Sequence, residues 1–273
     1  MPALTTTQLR TAAADFWDSA AGESLIDKIT VSEADKSKHC REAQNTLRAA
    51  VESADSAIVT ATLINRLSKV KDGKEVRGVW ATPAQDSLRA SVLFAGAGLD
   101  RALKRLAEDA LPVLVQFDDE VNKKFTTYAQ DAITDAGSVD PKQLVALLLG
   151  RGDSPRDTLV KSWIYTLGSA SAQSAERVAE FAGALGVTDK ELRKRMTASP
   201  TKSSKLEKAF SARNEIAHEL DVTDPEAETR KRLERIRRAR SVTSMREHVV
   251  EMLDVTQRII NNVASRLEAN GHG

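Results

Sequence analysis

Lys205 to Asp224 reads KLEKAFSARNEIAHELDVTD. Leu206, Ala209, Phe210, Arg213, Ile216, Ala217 and Leu220 step by three and four, so they share one face of an amphipathic helix. Asp221 to Pro225 then reads as an acidic turn that ends the helix close to His218. The arginine on the apolar stripe is the anomaly. A guanidinium keeps its proton, and burying it without an anionic partner is costly. A carboxylate of the same fold, a second subunit or a ligand phosphate has to meet it.

His218 lies five positions beyond Arg213, about 140° round the helix at ~100° per residue. Asn214 stands four residues before the histidine and shares its face. In the last turn, His218 also sits at the negative end of the helix dipole. A fixed cation, an amide and a proton-transfer group are thereby gathered at one helix end. That set is what phosphodiester cleavage without a metal requires. Arg266 and His272 have a similar spacing, but they lie in the tail RLEANGHG, where no helix is expected to hold the pair.

Outward from this segment, helical periodicity runs nearly from end to end, and no strand pair is evident. The stretch 33–68 carries Leu47, Val51, Ala54, Ile58, Leu63 and Leu67 at mostly helical steps. Asp72-Gly73 is a turn signal, and a boundary is expected near residue 80. Thr82, Pro83 and Gln85 then supply an N-cap, a first-turn proline and a capping-box partner. The stripe that follows is Leu88, Val92, Ala95, Leu99, Leu103 and Leu106, with Gly96 and Gly98 placed to admit another helix closely. Pro112 predicts a kink or restart, with helix resuming through Ile133. A short helix is expected in GSVDPKQLVALLLG, and its RGDS loop reads as solvated. Further helices are expected around Trp163, around Phe181 and from Asp189 to Met196. The last helix carries Met245, Val249, Met252, Thr256, Ile259, Val263 and Leu267, a seam suited to a bundle or a dimer. The predicted fold class is all-α.

Forty basic and thirty-nine acidic side chains in 273 residues nearly cancel, so any electrostatic footprint has to be local. Cys40 is the single cysteine, which excludes an intramolecular disulfide and a thiolate knuckle. The N-terminus lacks the pattern of a secretory signal, and no apolar run approaches a bilayer span. A cytoplasmic protein without membrane association, metal or cofactor is expected. His39 and His248 read as solvated, and Trp17, Trp80 and Trp163 as core or interface anchors. Arg230 to Arg240, RKRLERIRRAR, is either a basic track or a solvated helix face offset by Glu226, Glu228 and Glu234.

ARNEIAHEL resembles the RNxxxH signature of the HEPN superfamily, small all-α domains common in toxin–antitoxin and antiviral defence systems. SVLFAGAGLDRALKRL resembles the first core helix of that family, with an acidic residue at Asp100, and MREHVVEMLDVTQRIINNV resembles its closing helix. The resemblance covers about residues 82–268. It implies a HEPN-like helical bundle over 81–270 and an additional N-terminal helical region over 1–80. It further implies a metal-independent endoribonuclease, acting as a homodimer with a composite cleft, and leaving a 2′,3′-cyclic phosphate and a 5′-hydroxyl. Under that resemblance His218 transfers protons, Arg213 holds the scissile phosphate, Asn214 orients the histidine or touches the phosphate, and Asp100 braces Arg213. Arg230, Lys231, Arg235, Arg237, Arg238 and Arg240 would follow the RNA backbone. A partner antitoxin or defence protein would restrain the activity. Some HEPN toxins carry a modifiable tyrosine two residues past the histidine, where this chain has Leu220. The family also includes inactive domains that bind RNA, nucleotides or proteins. A third alternative is a structural oligomer in which Arg213 pairs with a buried acid.

Overall fold

The computed structural model describes residues 5, 7, 37–72, 82–134, 142, 145, 154–197, 203–223 and 237–272. Eight helices and no strand occur among them: α1 Arg41–Asp72, α2 Thr82–Phe117, α3 Asp119–Thr134, α4 Pro155–Ser169, α5 Ala175–Ala184, α6 Lys190–Met196, α7 Lys205–Glu219 and α8 Val242–Ala269. The fold is all-α. None of these helices is long and apolar enough to cross a membrane. The boundary expected near residue 80, the short helix expected after Gly137, and Trp17 and Trp80 lie outside the described residues.

Two compact units divide the chain, and each is discontinuous. The first draws on Arg48–Gly98 and Lys205–Asp254; the second draws on Ser32–Leu47, Leu99–Ser204 and Val255–Gly273. Helices α1, α2 and α8 contribute residues to both. Of the stretch read from sequence as an N-terminal addition, the part of α1 from Arg48 onward shares a unit with the motif helix α7, and the part up to Leu47 belongs to the other.

In the first unit, α1 meets α2 at a glycine. A Cβ built on Gly98 would stand 2.0 Å from the Cβ of Ala50, so only hydrogen fits between the two backbones. Gly96, two residues earlier, faces elsewhere. A Cβ there would lie 3.4 Å from Cγ of Arg213 and 3.8 Å from the sulfur of Met252. The two glycines thus open two different faces of α2, one to α1 and one to α7 and α8. Gln85 differs from its expected capping role. Its amide donates to the carbonyl of Arg240 at 2.9 Å and accepts from the Arg240 N–H at 2.9 Å, tying α2 to the segment before α8.

In the second unit, α2 runs through Pro112 to Phe117, so of the kink or restart expected there the restart does not occur. One ladder bond is lost at the proline, but Ala110, Leu111, Leu114 and Val115 around it are buried, and tertiary packing outweighs the local defect. The break comes instead at Asp118, whose Oδ1 accepts the Val121 N–H at 3.0 Å and caps α3. Ser154, Ser174 and Asp189 cap α4, α5 and α6 in the same way. Trp163 is a core anchor, buried against Phe125 and Tyr128. Gln44 of α1 and Gln257 of α8 exchange buried amide hydrogen bonds of 2.9 and 2.8 Å.

Arg266 is held after all, within α8, and its guanidinium donates to Asp118 and to the Leu185 carbonyl. His272 stacks on Phe117 at 5.1 Å between ring centroids. These contacts give that pair a structural role in the second unit. All seven seam residues of α8, from Met245 to Leu267, are buried.

Gly98→Ala should destabilise the protein by about 1–3 kcal/mol, because the added methyl meets backbone-anchored atoms that cannot turn aside. Gly96→Ala meets the movable stem of Arg213 and also gains helix propensity, so it should fall between neutral and about 1 kcal/mol more stable. Denaturant midpoints of the two variants, measured side by side, check the contrast.

Candidate functional site

Helix α7 buries Leu206, Ala209, Phe210, Ala212 and Ile216, and ends at Glu219. The stripe is therefore shorter than the sequence suggests. Ala217 is exposed and Leu220 is 63% exposed, because the helix turns away from the core after Ile216. Arg213 is half-buried, with its stem over Gly96 and its Nη1 donating to Oδ1 of Asn214 at 3.0 Å. Asn214 is half-buried as well, and His218 is exposed one turn further on. The described structure thus brings Arg213 and Asn214 into contact and presents His218 beyond them on the asparagine's side of the helix.

Asp100 belongs to the second unit. Its Oδ1 accepts the Ala172 N–H at 2.6 Å and its Oδ2 pairs with Lys104 at 3.3 Å. Those two contacts give Asp100 a loop-anchoring role in that unit.

Beyond His218 the backbone does something unusual. Leu220 and Asp221 both adopt positive φ, 51° and 60°, where side chains with a Cβ are disfavoured. The Asp221 N–H reaches back six positions to the Glu215 carbonyl at 3.1 Å, one position further than the bond of the usual glycine-built helix C-cap. Two consecutive left-handed residues persist only when the surroundings hold them.

What holds them is a cluster of charges. Asp221 is 3% exposed, and its carboxylate accepts from Arg89 Nε at 2.7 Å and from Arg240 Nε at 3.2 Å. Arg89 also pairs with Asp86 at 2.9 Å and donates to the Arg238 carbonyl at 2.9 Å. Arg240 reaches Glu215 of α7 at 2.8 Å. Arg237 pairs with Asp86 at 2.9 Å and donates to the carbonyl of Leu220 at 2.8 Å. Burial by itself pushes the Asp221 carboxyl up, but hydrogen bonds from Arg240 and Arg89 outweigh it and hold the group below its ordinary range.

Of the basic run, Arg230, Lys231 and Arg235 lie outside the described residues. Arg237 and Arg240 are committed to carboxylates with side chains only 11% and 9% exposed, which fits the cluster and leaves little for a polymer. Arg238 pairs with Glu215 at 2.9 Å and remains 51% exposed, so it retains donors toward solvent. The sequence did not mark Arg89, Asp86, Glu215 or Asp221 as partners. Their only signal was a charged residue beside Leu88 on an apolar stripe.

Cys40 is buried, and burial pushes its thiol up to about 11, which makes it an inert core group. Among the described residues no group of three or more His, Cys, Asp or Glu is arranged to hold a metal ion. No protein-family model, curated protein or solved structure matches the chain.

Asp221→Asn should destabilise the fold by about 3–5 kcal/mol, since it leaves Arg89 and Arg240 buried with weakened pairing. Because the folded carboxyl lies below its unfolded value, its contribution is present above about pH 4 and fades as pH falls through the lower, folded value. Wild type should therefore lose stability on acidification below pH 4 more steeply than Asp221→Asn, as read from denaturant midpoints. Leu220→Gly should act in the opposite sense, raising stability by up to about 1 kcal/mol as the left-handed strain is relieved.

Proposed function

We propose that the chain is a HEPN-type, metal-independent endoribonuclease working as a homodimer, an RNA-cleaving effector of the toxin or antiviral-defence kind. One observation carries this: on an all-α fold, α7 ends with an exposed His218 one turn past Asn214, whose amide oxygen fixes the guanidinium of Arg213.

In the reaction the ribose 2′-oxygen attacks the adjacent phosphorus, and the bond from phosphorus to the 5′-oxygen breaks. A proton leaves the 2′-hydroxyl and a proton reaches the departing 5′-oxygen, so the products are a cyclic phosphate and a free 5′-hydroxyl without any water consumed. His218 carries out proton transfer. Arg213 meets the negative charge that builds on the phosphate, and the Asn214 contact keeps its fork aimed. Arg238 is the described member of the basic run suited to a neighbouring phosphate. With Leu220 two residues past the histidine, restraint by tyrosine modification has no acceptor, and a partner protein would have to act by covering the site.

Purified protein incubated in EDTA with end-labelled tRNA and total RNA tests this. Wild type should leave 3′ ends bearing cyclic phosphate, His218→Ala should slow cleavage by about 10²- to 10⁴-fold, and Arg213→Ala should abolish it with a melting temperature close to wild type. Undiminished cleavage by His218→Ala overturns the assignment. RNA bound but left intact by folded wild-type dimer would instead favour a binding module of the same family.

A further inference from the structure

A cleft of about 490 Å³ opens within the first unit, between the N-terminal half of α7 and the first turns of α8. Lys205 and Lys208 form one wall, and Thr243, Arg246, Glu247, His248, Val250 and Glu251 the other. Ten residues separate Lys208 from His218, about 15 Å along the helix at 1.5 Å per residue, so this is a separate location from the motif.

Three cations and two carboxylates line it. Among the described residues neither Lys205 nor Lys208 has a carboxylate within ion-pairing distance, although both face the cleft. Arg246 is half-buried on the opposite wall, and Glu251 is buried at 8% exposure. Glu247 is the exposed carboxylate of the lining. Thr243 stands in the first turn of α8, where backbone N–H groups lack helical partners, and Ser241 takes one of them, that of Ser244, at 3.1 Å. His248 is half-buried, with Nε2 3.3 Å from Oγ of Ser244. It was expected to be a solvated bystander. Burial, then the nearby Arg240 and Lys208, press its imidazole toward the neutral form against Glu247 and Glu215. A cavity of this size lies within the range of small-molecule sites and is far larger than one tetrahedral anion needs.

We infer that this cleft binds a short phosphate chain, two or three linked phosphates, between the lysines of α7 and Arg246 of α8. The lysines, unpaired among the described residues, serve as point charges, Arg246 adds positive charge from the opposite wall, and the hydroxyl and N–H groups at the start of α8 take further oxygens. No aromatic side chain lines the cleft, so recognition rests on the phosphates whether the chain is inorganic or part of a nucleotide. Glu247 opposes the ligand and sets a ceiling on affinity.

Calorimetry of the full chain with tripolyphosphate, pyrophosphate, ATP and adenosine tests this. Tripolyphosphate and ATP should bind and adenosine should not. Equal affinities identify the chain alone as the ligand, and tighter ATP identifies a nucleotide. Lys208→Gln and Arg246→Gln should each weaken binding by roughly tenfold, whereas Glu247→Gln should tighten it by about two- to fivefold. Lys208 and Glu247 are exposed and Arg246 is half-buried, and circular dichroism should report unchanged helix content for all three variants. The His248 ring signals in NMR should move on binding while those of His218 stay. Absence of binding by folded wild type, equal binding of adenosine, or unaltered affinity in both cation variants overturns the inference. So does a response at His218 in place of His248. None of these readouts depends on RNA cleavage.

Discussion

The carboxylate of Asp221 is the constraint on which the first unit depends. Buried among arginines, it fixes a strained turn that no local preference would produce, and through that turn it fixes where α7 stops. The helix must end at Glu219 because the next two residues are left-handed. They remain left-handed because the second of them is pinned by Arg89 from α2 and Arg240 from the segment before α8. Glu215 then returns from α7 to the same arginine. Three separate stretches of sequence, the start of α2, the end of α7 with its turn, and the segment before α8, are tied at one point close to the helix end that displays His218. Buried ion pairs are poor sources of net stability, but they are demanding about geometry. Here geometry is the useful product.

This explains why the helices were legible in the sequence and the cluster was not. Periodicity alone predicted α2, α7 and α8, because an apolar stripe at steps of three and four has few other ways to be buried. All seven seam residues it predicted for α8 are buried, although Leu253, Val255, Ile260 and Ala264 are buried beside them. It erred at α7, where Ala217 and Leu220 continue the pattern beyond the last buried turn, since a stripe carries no information about where a neighbouring surface ends. Pro112 misled for the complementary reason: its local penalty is real, but packing on both sides exceeded it. Gln85 offered a capping box on spacing alone, yet a long-range partner, Arg240, outcompeted its own helix start. Each miss is a contact between residues more than a hundred positions apart, or a surface that only the assembled unit defines.

The candidate site shows the same division. Arg213, Asn214 and His218 were found because they are neighbours on one helix, and their relation is a matter of helical geometry. Asp100 was joined to them by resemblance, and its visible partners are Lys104 and Ala172 in another unit. The basic run was read as one feature, but the described residues split it. Arg237 and Arg240 are spent on internal carboxylates, while Arg238 keeps an exposed face. Charge counted along a sequence overstates what a surface can offer, because pairing removes the very groups that cluster most closely with acids.

Exposure of His218 has a consequence for the proposed chemistry. Cleavage by 2′-oxygen attack needs a proton removed at one oxygen and a proton delivered at another, on opposite sides of the phosphorus. One helix end supplies one imidazole, one guanidinium and one amide. Asn214 is occupied in holding Arg213, and the nearby Glu215 is occupied by Arg238 and Arg240, which leaves the exposed Glu219 as the other titratable group next to the histidine in α7. An open site also leaves a phosphate beside His218 exposed to water, which weakens its attraction for the half-buried guanidinium of Arg213. In the proposed homodimer, a second copy of the helix end facing the first would add a second imidazole across the phosphate and a surface that excludes solvent.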